Sequence, residues 1–403
     1  MNTIIVKRII ILLTLLNLTW NSVFAQDVNN PIVFAMPVLT VVPDARAAGM
    51  GDIGVATLPT ANDQHWNASK YVFNEAKTGV SLSYIPWLRG IGTANINLLY
   101  LTGFYRIDNR QAIGASLRYF SLGAMTFWGE QQEFIKSSNP NEMALDVSYS
   151  RLLGEYFSAG VTFRYLRSDI AGGYYTGTNT VLEPANAWSA DIGFYYNKPI
   201  RLGAMTGIAS AGLSITNIGS KMNYGDYTNE KPEFNTYFLP TTGRLGGNLK
   251  LDLDYYNELS FGVELSKYLV PTPPTRVTTA AGKDSIVAGK DNNVSMLKGM
   301  IQSFVDAPGG FREELEEIMI GVGAEYTYSR VFSVRGGYYH DSKWPNHKYV
   351  TLGAGIIYYM FNLDVSYLVP VVSGLQSPLA NTLHITLSID FGKSMRRRTF
   401  ANN

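Results

Sequence analysis

Between about residue 79 and residue 391 the chain alternates apolar and polar side chains, one by one, in segments of about ten residues. In the last segment Leu383, Ile385, Leu387, Ile389 and Phe391 share one face, and His384, Thr386, Ser388 and Asp390 share the other. Ile318, Ile320, Val322, Ala324, Tyr326 and Tyr328 alternate in the same way with Met319, Gly321, Gly323, Glu325 and Thr327. Leu245, Leu249, Leu251 and Leu253 interleave with Arg244, Asn248, Lys250 and Asp252. Successive side chains of a strand point to opposite sides, so this pattern predicts strands with one apolar and one polar face. Charges keep to the polar face, as a polar lumen inside a lipid-facing wall requires.

Fourteen such segments are predicted, near 79–86, 95–106, 112–120, 143–152, 157–166, 187–196, 206–217, 244–253, 257–266, 318–329, 331–340, 349–360, 361–368 and 382–391. Connections after the second, fourth, eighth, tenth and twelfth segments are very short. Those after the third, fifth, seventh, ninth and thirteenth are long, and the longest runs from Pro271 to Glu317. Short turns on one side and long loops on the other predict an all-β, 14-stranded antiparallel transmembrane β-barrel with both termini in the periplasm. A soluble β-sandwich also alternates, but it favours strands of about five to six residues and gives no reason for alternating loop lengths. Tyr326, Tyr328, Tyr358 and Tyr359 at segment ends fit an interfacial aromatic girdle.

Composition narrows the reading further. Charged residues are 16%, against roughly 25% in an ordinary soluble domain, while the 403 residues include 26 Tyr and 38 Gly. With 33 basic and 32 acidic residues there is no basic surface for nucleic acid, and zero Cys excludes disulfides, thiolate metal sites and a Cys nucleophile. Lys7 and Arg8 precede an apolar run from Ile9 to Leu18, and Val23-Phe24-Ala25 resembles a cleavage site. Residues 1–25 therefore read as a cleaved signal peptide, so the protein is exported, and the barrel pattern then predicts the cell outer membrane as its destination. At the other end Lys393, Arg396, Arg397 and Arg398 form a basic tail over 393–403, a solvated terminus.

Residues 26–77 precede the first strand of a barrel body over 78–392. A fourteen-strand barrel encloses more room than its own side chains fill, so this stretch is the expected plug. The inward rows carry Arg118, Arg164, Glu264, Glu325, Arg335 and Asp390, which are expected to pair with Asp44, Arg46 and Asp52. Asp44-Ala45-Arg46-Ala47-Ala48-Gly49-Met50-Gly51-Asp52-Ile53-Gly54-Val55-Ala56, followed by His65-Trp66-Asn67-Ala68, resembles the hatch of FadL-type fatty-acid transporters. That resemblance implies a fourteen-stranded barrel with Asp44, Arg46, Asp52 and Asn67 in the hatch. The usual Asn-Pro-Ala is Asn67-Ala68-Ser69 here.

Tyr84-Ile85-Pro86-Trp87-Leu88 and Ser303-Phe304-Val305-Asp306-Ala307-Pro308-Gly309-Gly310-Phe311, with Glu313-Glu314-Leu315, resemble the PorV family, a branch of the same superfamily. The resemblance extends over nearly the whole mature chain. It implies a component of the type IX secretion system that partners the outer-membrane translocon. Such a component accepts cargo by a C-terminal signal domain and passes it to a cell-surface attachment complex, in contact with lipid and lipopolysaccharide.

The longest loop, 271–317, opens with Pro271-Thr272-Pro273-Pro274-Thr275, an extended segment. Met296, Leu297, Met300, Ile301, Phe304 and Val305 then recur at helical spacing up to Pro308-Gly309-Gly310, and Glu313, Glu314, Glu316 and Glu317 form an acidic cluster. Two readings compete: a stripe packed on the barrel rim, or a docking face for a partner. Trp87, Leu88, Leu297, Met300, Ile301, Phe304 and Phe311 are the candidate contact residues.

Enzymatic chemistry finds little footing. The four histidines are His65, His340, His347 and His384. His384 shares a strand face with Ser388 and Asp390, as a polar lumen would produce without catalysis, and there is no G-x-S-x-G turn. His340 and His347 flank Asp341 without a third ordered ligand, and no calcium-loop spacing occurs. No cofactor is expected. Two further readings are passive uptake of a hydrophobic molecule, as in the fatty-acid transporters, and lipopolysaccharide deacylation.

Overall fold

A computed structural model describes residues 31–392, except 88–95, 129–133, 171–174, 177–179, 204, 228–232, 279–283, 344–346 and 372–381. The proposed signal peptide, Leu88 and the basic tail lie outside the described residues.

Fourteen antiparallel strands close into one barrel, each paired with its sequence neighbours. They are β1 Thr78–Pro86, β2 Ile96–Arg106, β3 Gln111–Leu122, β4 Asn141–Leu152, β5 Phe157–Asp169, β6 Ala185–Leu202, β7 Met205–Gly219, β8 Thr242–Asp252, β9 Asn257–Tyr268, β10 Met319–Tyr328, β11 Phe332–His340, β12 Tyr349–Tyr358, β13 Phe361–Pro370 and β14 Leu383–Phe391. Closure comes from β1 on β14, in register from Thr78↔Phe391 to Tyr84↔Ile385. Each strand thereby has a partner on both sides and the sheet has no open edge strand, which is the condition for backbone to cross hydrocarbon as strand. Among the described residues no helix is long and apolar enough to cross a membrane.

Alternation maps directly onto the two faces. Along β1, Gly79, Ser81 and Ser83 are buried inward while Val80, Leu82 and Tyr84 face out. Leu145, Val147, Val161, Phe163, Leu245, Phe261, Val263, Leu352 and Leu363 continue the outward apolar belt. Tyr256 and Tyr328 stack at the short-turn end, and Tyr358 meets Tyr359 edge-on there, as an interfacial girdle requires.

One connection differs from the expected pattern. A gap of nine residues is predicted between the sixth and seventh strands, whereas β6 runs on to Leu202 and turns at once into β7. Its partner β5 stops at Phe157 opposite Tyr196, so beyond Asn197 the β6 edge has no neighbour on that side. Pro199 sits on this free edge, where its missing N–H removes no ladder bond. At the opposite end, the long connections carry added structure. Thr180–Leu182, Met222–Tyr227 and Glu233–Tyr237 join Tyr175–Thr176 in a four-stranded sheet, and Thr275–Thr278 pairs with Asp284–Ala288.

Residues from Ile32 to Lys77 run inside the barrel. They form short 3-10 turns at Pro37–Thr40 and Ala68–Phe73, and two single-turn helices, α1 Ala45–Ala48 and α2 Asp63–Trp66. Glycine in the wall admits this backbone. A Cβ on Gly337 would lie 2.1 Å from the Gly51 nitrogen, and one on Gly323 would lie 2.2 Å from the Met50 carbonyl oxygen.

Candidate functional site

The plug is seated by polar contacts to inward rows of the wall. Arg46 leaves α1 and reaches Glu325 of β10 through two parallel bonds, Nε–Oε2 at 3.0 Å and Nη2–Oε1 at 2.8 Å. Arg335 of β11 donates to the same carboxylate at 2.5 Å and to Asp364 of β13 at 2.6 Å. Two arginines and two carboxylates thus alternate in a buried chain. Glu264 of β9 accepts the backbone N–H groups of Gly54 and Val55 at 2.8 and 2.9 Å. Arg118 of β3 donates to the Val38 carbonyl at 2.7 Å and lies 2.9 Å from His65 Nδ1.

The other expected pairings are made differently. Asp44 stays within the plug, capping Ala47 N–H and accepting from Trp66 Nε1, each at 2.9 Å. Asp52 accepts from the Tyr349 hydroxyl of β12. Arg164 pairs with Asp146 and Asp191 on the flanking strands rather than with the plug. Asp390 accepts from Asn362 on the neighbouring strand at 3.0 Å. Asn67 caps Ser69 N–H and donates to the Phe194 carbonyl at 2.9 Å.

The loop between β9 and β10 inverts the usual sidedness of an amphipathic segment. It holds two helices, α3 Met296–Gln302 and α4 Phe311–Glu316, where the sequence predicts one helix continuing toward Pro308. Ser303 caps α3, and Ser303–Val305 continue as turn. The acidic cluster winds into and just past α4, and Glu313, Glu314 and Glu317 turn inward. Lys267, at the outer end of β9, donates to Glu314 at 3.1 Å and to Glu317. Lys343, in the β11–β12 connection, donates to Glu313 at 2.8 Å and to Glu317 at 2.5 Å. Thr272 Oγ1 adds a bond to Glu317 at 2.6 Å, and Glu314 accepts the Asp306 and Ala307 N–H groups.

Burial alone would raise the Glu317 carboxyl, yet hydrogen bonds from Lys267, Lys343 and Thr272 hold it below its ordinary range. Burial, with Glu314 and Glu317 nearby, pushes Asp306 up to about 6. Gly299 completes the seat. Its missing Cβ would lie 2.9 Å from Pro271 and 3.1 Å from the Phe238 ring, so α3 rests directly on both.

With the polar side turned inward, the apolar residues face away from the protein. Leu297 is 64% exposed, Ile301 76%, Phe304 57% and Phe311 78%, while Met300 is half-buried. Of the predicted stripe, Met296 and Met300 are half-buried, and Leu297, Ile301, Phe304 and Val305 are exposed.

A family model described as type IX secretion system protein PorV matches residues 24–275, more than half of the chain. The chain belongs to the PorV family. A closed fourteen-strand barrel of this family is an outer-membrane β-barrel of type IX secretion. The matched region ends before α3, so the Ser303–Phe311 motif lies outside it. The search of curated proteins finds no significant match. Among solved structures, the P. putida toluene transporter TodX is similar at 9% identity and a TM-score of 0.49, covering 91% of this chain and 99% of that one. The Ralstonia pickettii toluene transporter TbuX is similar at 12% identity and 0.45, covering 86% and 98%. A Pseudomonas aeruginosa FadL homologue is similar at 11% identity and 0.42, covering 87% and 98%.

In this PorV-family chain the candidate contact residues fall into two places. Leu297, Met300, Ile301, Phe304 and Phe311 lie on or beside α3 and α4. Trp87 instead packs on Phe120, rings 5.3 Å apart, against the apolar cluster inside the barrel mouth. Sequence reasoning misses Lys267, Lys343, Thr272 and Phe238, which seat the loop. The signal for the two lysines is a cation at each strand rim facing three of the four glutamates, visible only once the rims are known to be adjacent.

His384 is buried with Nδ1 unpartnered, and Ser388 donates to Ser81 at 2.8 Å. His340 lies 2.9 Å from the Ser342 hydroxyl, and His347 lies 3.7 Å from Asp341. Among the described residues no group of His, Asp or Glu is placed to hold a metal ion.

Proposed function

We propose that this barrel serves type IX secretion as a docking platform. In this reading the loop over residues 271–317 offers its apolar face to the outer-membrane translocon and to the C-terminal signal domain of cargo, and cargo passes from there to the cell-surface attachment complex. One observation carries the proposal: a loop fixed by buried ion pairs that turns its largest apolar residues outward. Such a face is ordered before a partner arrives, so less conformational entropy opposes binding. Large apolar side chains on a rigid seat are the usual anchors of an interface, each contributing about 2 kcal/mol when fully buried.

The experiment replaces Met300, Ile301 and Phe304 with Ser in one variant. None of the three takes part in the ion-pair seat, so the barrel should assemble and keep its heat-dependent gel mobility. Cargo secretion and co-purification with the translocon should fail. Normal release of cargo from cells carrying that variant would refute the docking role.

Uptake of a hydrophobic molecule finds less support in the packing. Two cavities at the plug, one beside Arg46 and Trp66 and one beside Asn67 and Thr216, hold about one water molecule each.

A further inference from the structure

The course of the plug through the barrel has a direction that the hatch resemblance does not specify. At the long-loop end the Phe34 ring lies 5.1 Å from the ring of Tyr268, the last residue of β9. Ala35 N–H donates to the Phe238 carbonyl in the β7–β8 connection at 2.8 Å. Met36, Val38 and Leu39 are buried against Ile85, Leu98, Phe120, Ala144, Leu166 and Ala185. Each of those six sits at the long-loop end of its strand.

The middle of the segment meets the middle of the wall. Ala45 N–H donates to Thr386 Oγ1 at 2.9 Å, Gly54 N–H to Glu264 at 2.8 Å, and Ser210 Oγ to the Ala56 carbonyl at 2.8 Å. The last part meets the short-turn end. Ser158, at the start of β5, donates to the Ser69 carbonyl at 2.6 Å, and Tyr71 stacks on Phe104 at 5.0 Å. Arg106 donates to the Asn74 carbonyl at 2.6 Å, and Lys77 N–H to the Phe391 carbonyl at 3.0 Å, immediately before β1 begins.

We infer that the plug is a strap threaded through the whole barrel, with Phe34 and Ala35 at the cell-surface mouth beside Phe238 and Lys77 at the periplasmic rim before β1, so that the even strand count brings only the barrel's own two ends to the periplasm and not the start of the plug. The wall closes around it, because β14 pairs with β1 outside the same strap. A segment held at both mouths cannot swing out on a periplasmic hinge as a lid would. Its outer end also belongs to the cell-surface face. Phe238 touches the strap through its carbonyl and α3 through its ring, so the strap adjoins the seat of the proposed docking helix.

The inference rests on the reading that the long loops are extracellular, and the test separates the two. The chain contains no cysteine, so single-cysteine variants report without background. Val33→Cys marks the strap entrance, where Val33 is 58% exposed. Ile301→Cys marks the loop, and Leu153→Cys marks a short turn, where Leu153 is 60% exposed. Intact cells producing each full-length variant are treated with a membrane-impermeant maleimide, and folding is checked by gel mobility. Val33→Cys and Ile301→Cys should be labelled in intact cells, and Leu153→Cys only after the outer membrane is permeabilised. If Ile301→Cys is labelled while Val33→Cys waits for permeabilisation, the threading is wrong and the docking reading stands. If Leu153→Cys is labelled in intact cells and Ile301→Cys is not, the orientation is inverted and both readings fall.

Discussion

Replacing Arg46 with Met tests what holds the plug. Among the described residues Arg46–Glu325 is the one ion pair between plug and wall, and both side chains are largely buried. At 2.8 Å and an effective dielectric of about 20 the attraction is about 6 kcal/mol before desolvation is subtracted. Removing one partner of such a pair typically costs about 3–5 kcal/mol. Glu325 keeps its bond from Arg335, so the lower part of that range applies, about 3 kcal/mol. Glu325→Gln should cost more, because it deprives two buried guanidinium groups, Arg46 and Arg335, of the carboxylate they share. The assay is equilibrium unfolding in urea, following the loss of heat-modifiable gel mobility, for both single variants and the double variant. The double variant should be less destabilised than the sum of the singles by about 2 kcal/mol, the signature of direct coupling. Additive effects, or a cost below about 1 kcal/mol for Arg46→Met, would refute the claim that this pair seats the plug.

Other outcomes follow from the same geometry. Glu317 is held below its ordinary value of 4.5, so its contribution to loop order is complete above pH 4.5 and is lost as pH falls through the lower folded value. Hydrogen exchange over residues 296–317, corrected for intrinsic rates, should therefore rise on acidification below that pH in the native protein and stay flat in Glu317→Gln. Asp306 has the opposite sign. Raised to about 6, it favours the folded loop when protonated, so Asp306→Asn should slow exchange above pH 6 and change little below pH 3.8. Gly337→Val should lower the unfolding midpoint by about 1–3 kcal/mol equivalent, because its Cβ would meet the Gly51 nitrogen at 2.1 Å; an unchanged midpoint would mean the plug passes elsewhere. In planar bilayers the intact protein should conduct little, and deletion of residues 44–67 should open a larger conductance.

Most of the barrel is legible in the sequence because the lipid imposes the same condition on every strand. Outward residues must be apolar and inward ones need not be, so the period-two pattern survives along all fourteen segments. It weakens where that condition lapses. Beyond Tyr196 the run Asn197-Lys198-Pro199 reads as loop, yet β6 continues, since a strand past the membrane rim need not alternate and a free edge tolerates proline. The lumen was partly legible for a different reason. Inward charges must find partners, but the pattern does not say which. Arg164 looks like a candidate for the plug until register sets it opposite Asp146 and two residues from the partner of Asp191. The course of the plug left its own trace in the inward glycines of β10 and β11, where Gly321, Gly323 and Gly337 leave room for backbone instead of side chains. Glycine on a strand face reads as weakness unless something is known to pass there.

The outer loop shows where periodicity stops being informative. Spacing of Met296, Leu297, Met300 and Ile301 identifies a helical face, but amphipathic spacing alone does not say which side is the inner one. In a soluble domain the apolar side would turn inward, because burial in an apolar core is the main source of stability. Here the ground beneath α4 is polar. Lys267 and Lys343 stand at the barrel rim, and carboxylates of the loop pair with them. Glu313, Glu314 and Glu317 take that position, and the helices rotate to suit, with Gly299 allowing α3 to settle on Pro271 and Phe238. The ion pairs therefore fix the sidedness of the loop, and outward exposure of Ile301 and Phe304 is a consequence of that electrostatic choice. Neutralising the seat should then undo the exposure. In Lys267→Met/Lys343→Met the glutamates would lose their partners, and α3 and α4 would gain by turning their apolar side toward the rim. A solvent-polarity probe on Ile301→Cys should shift to a less polar environment in that background while the barrel stays folded. An unshifted probe would show that the loop's own backbone path, rather than the two lysines, sets which side faces out.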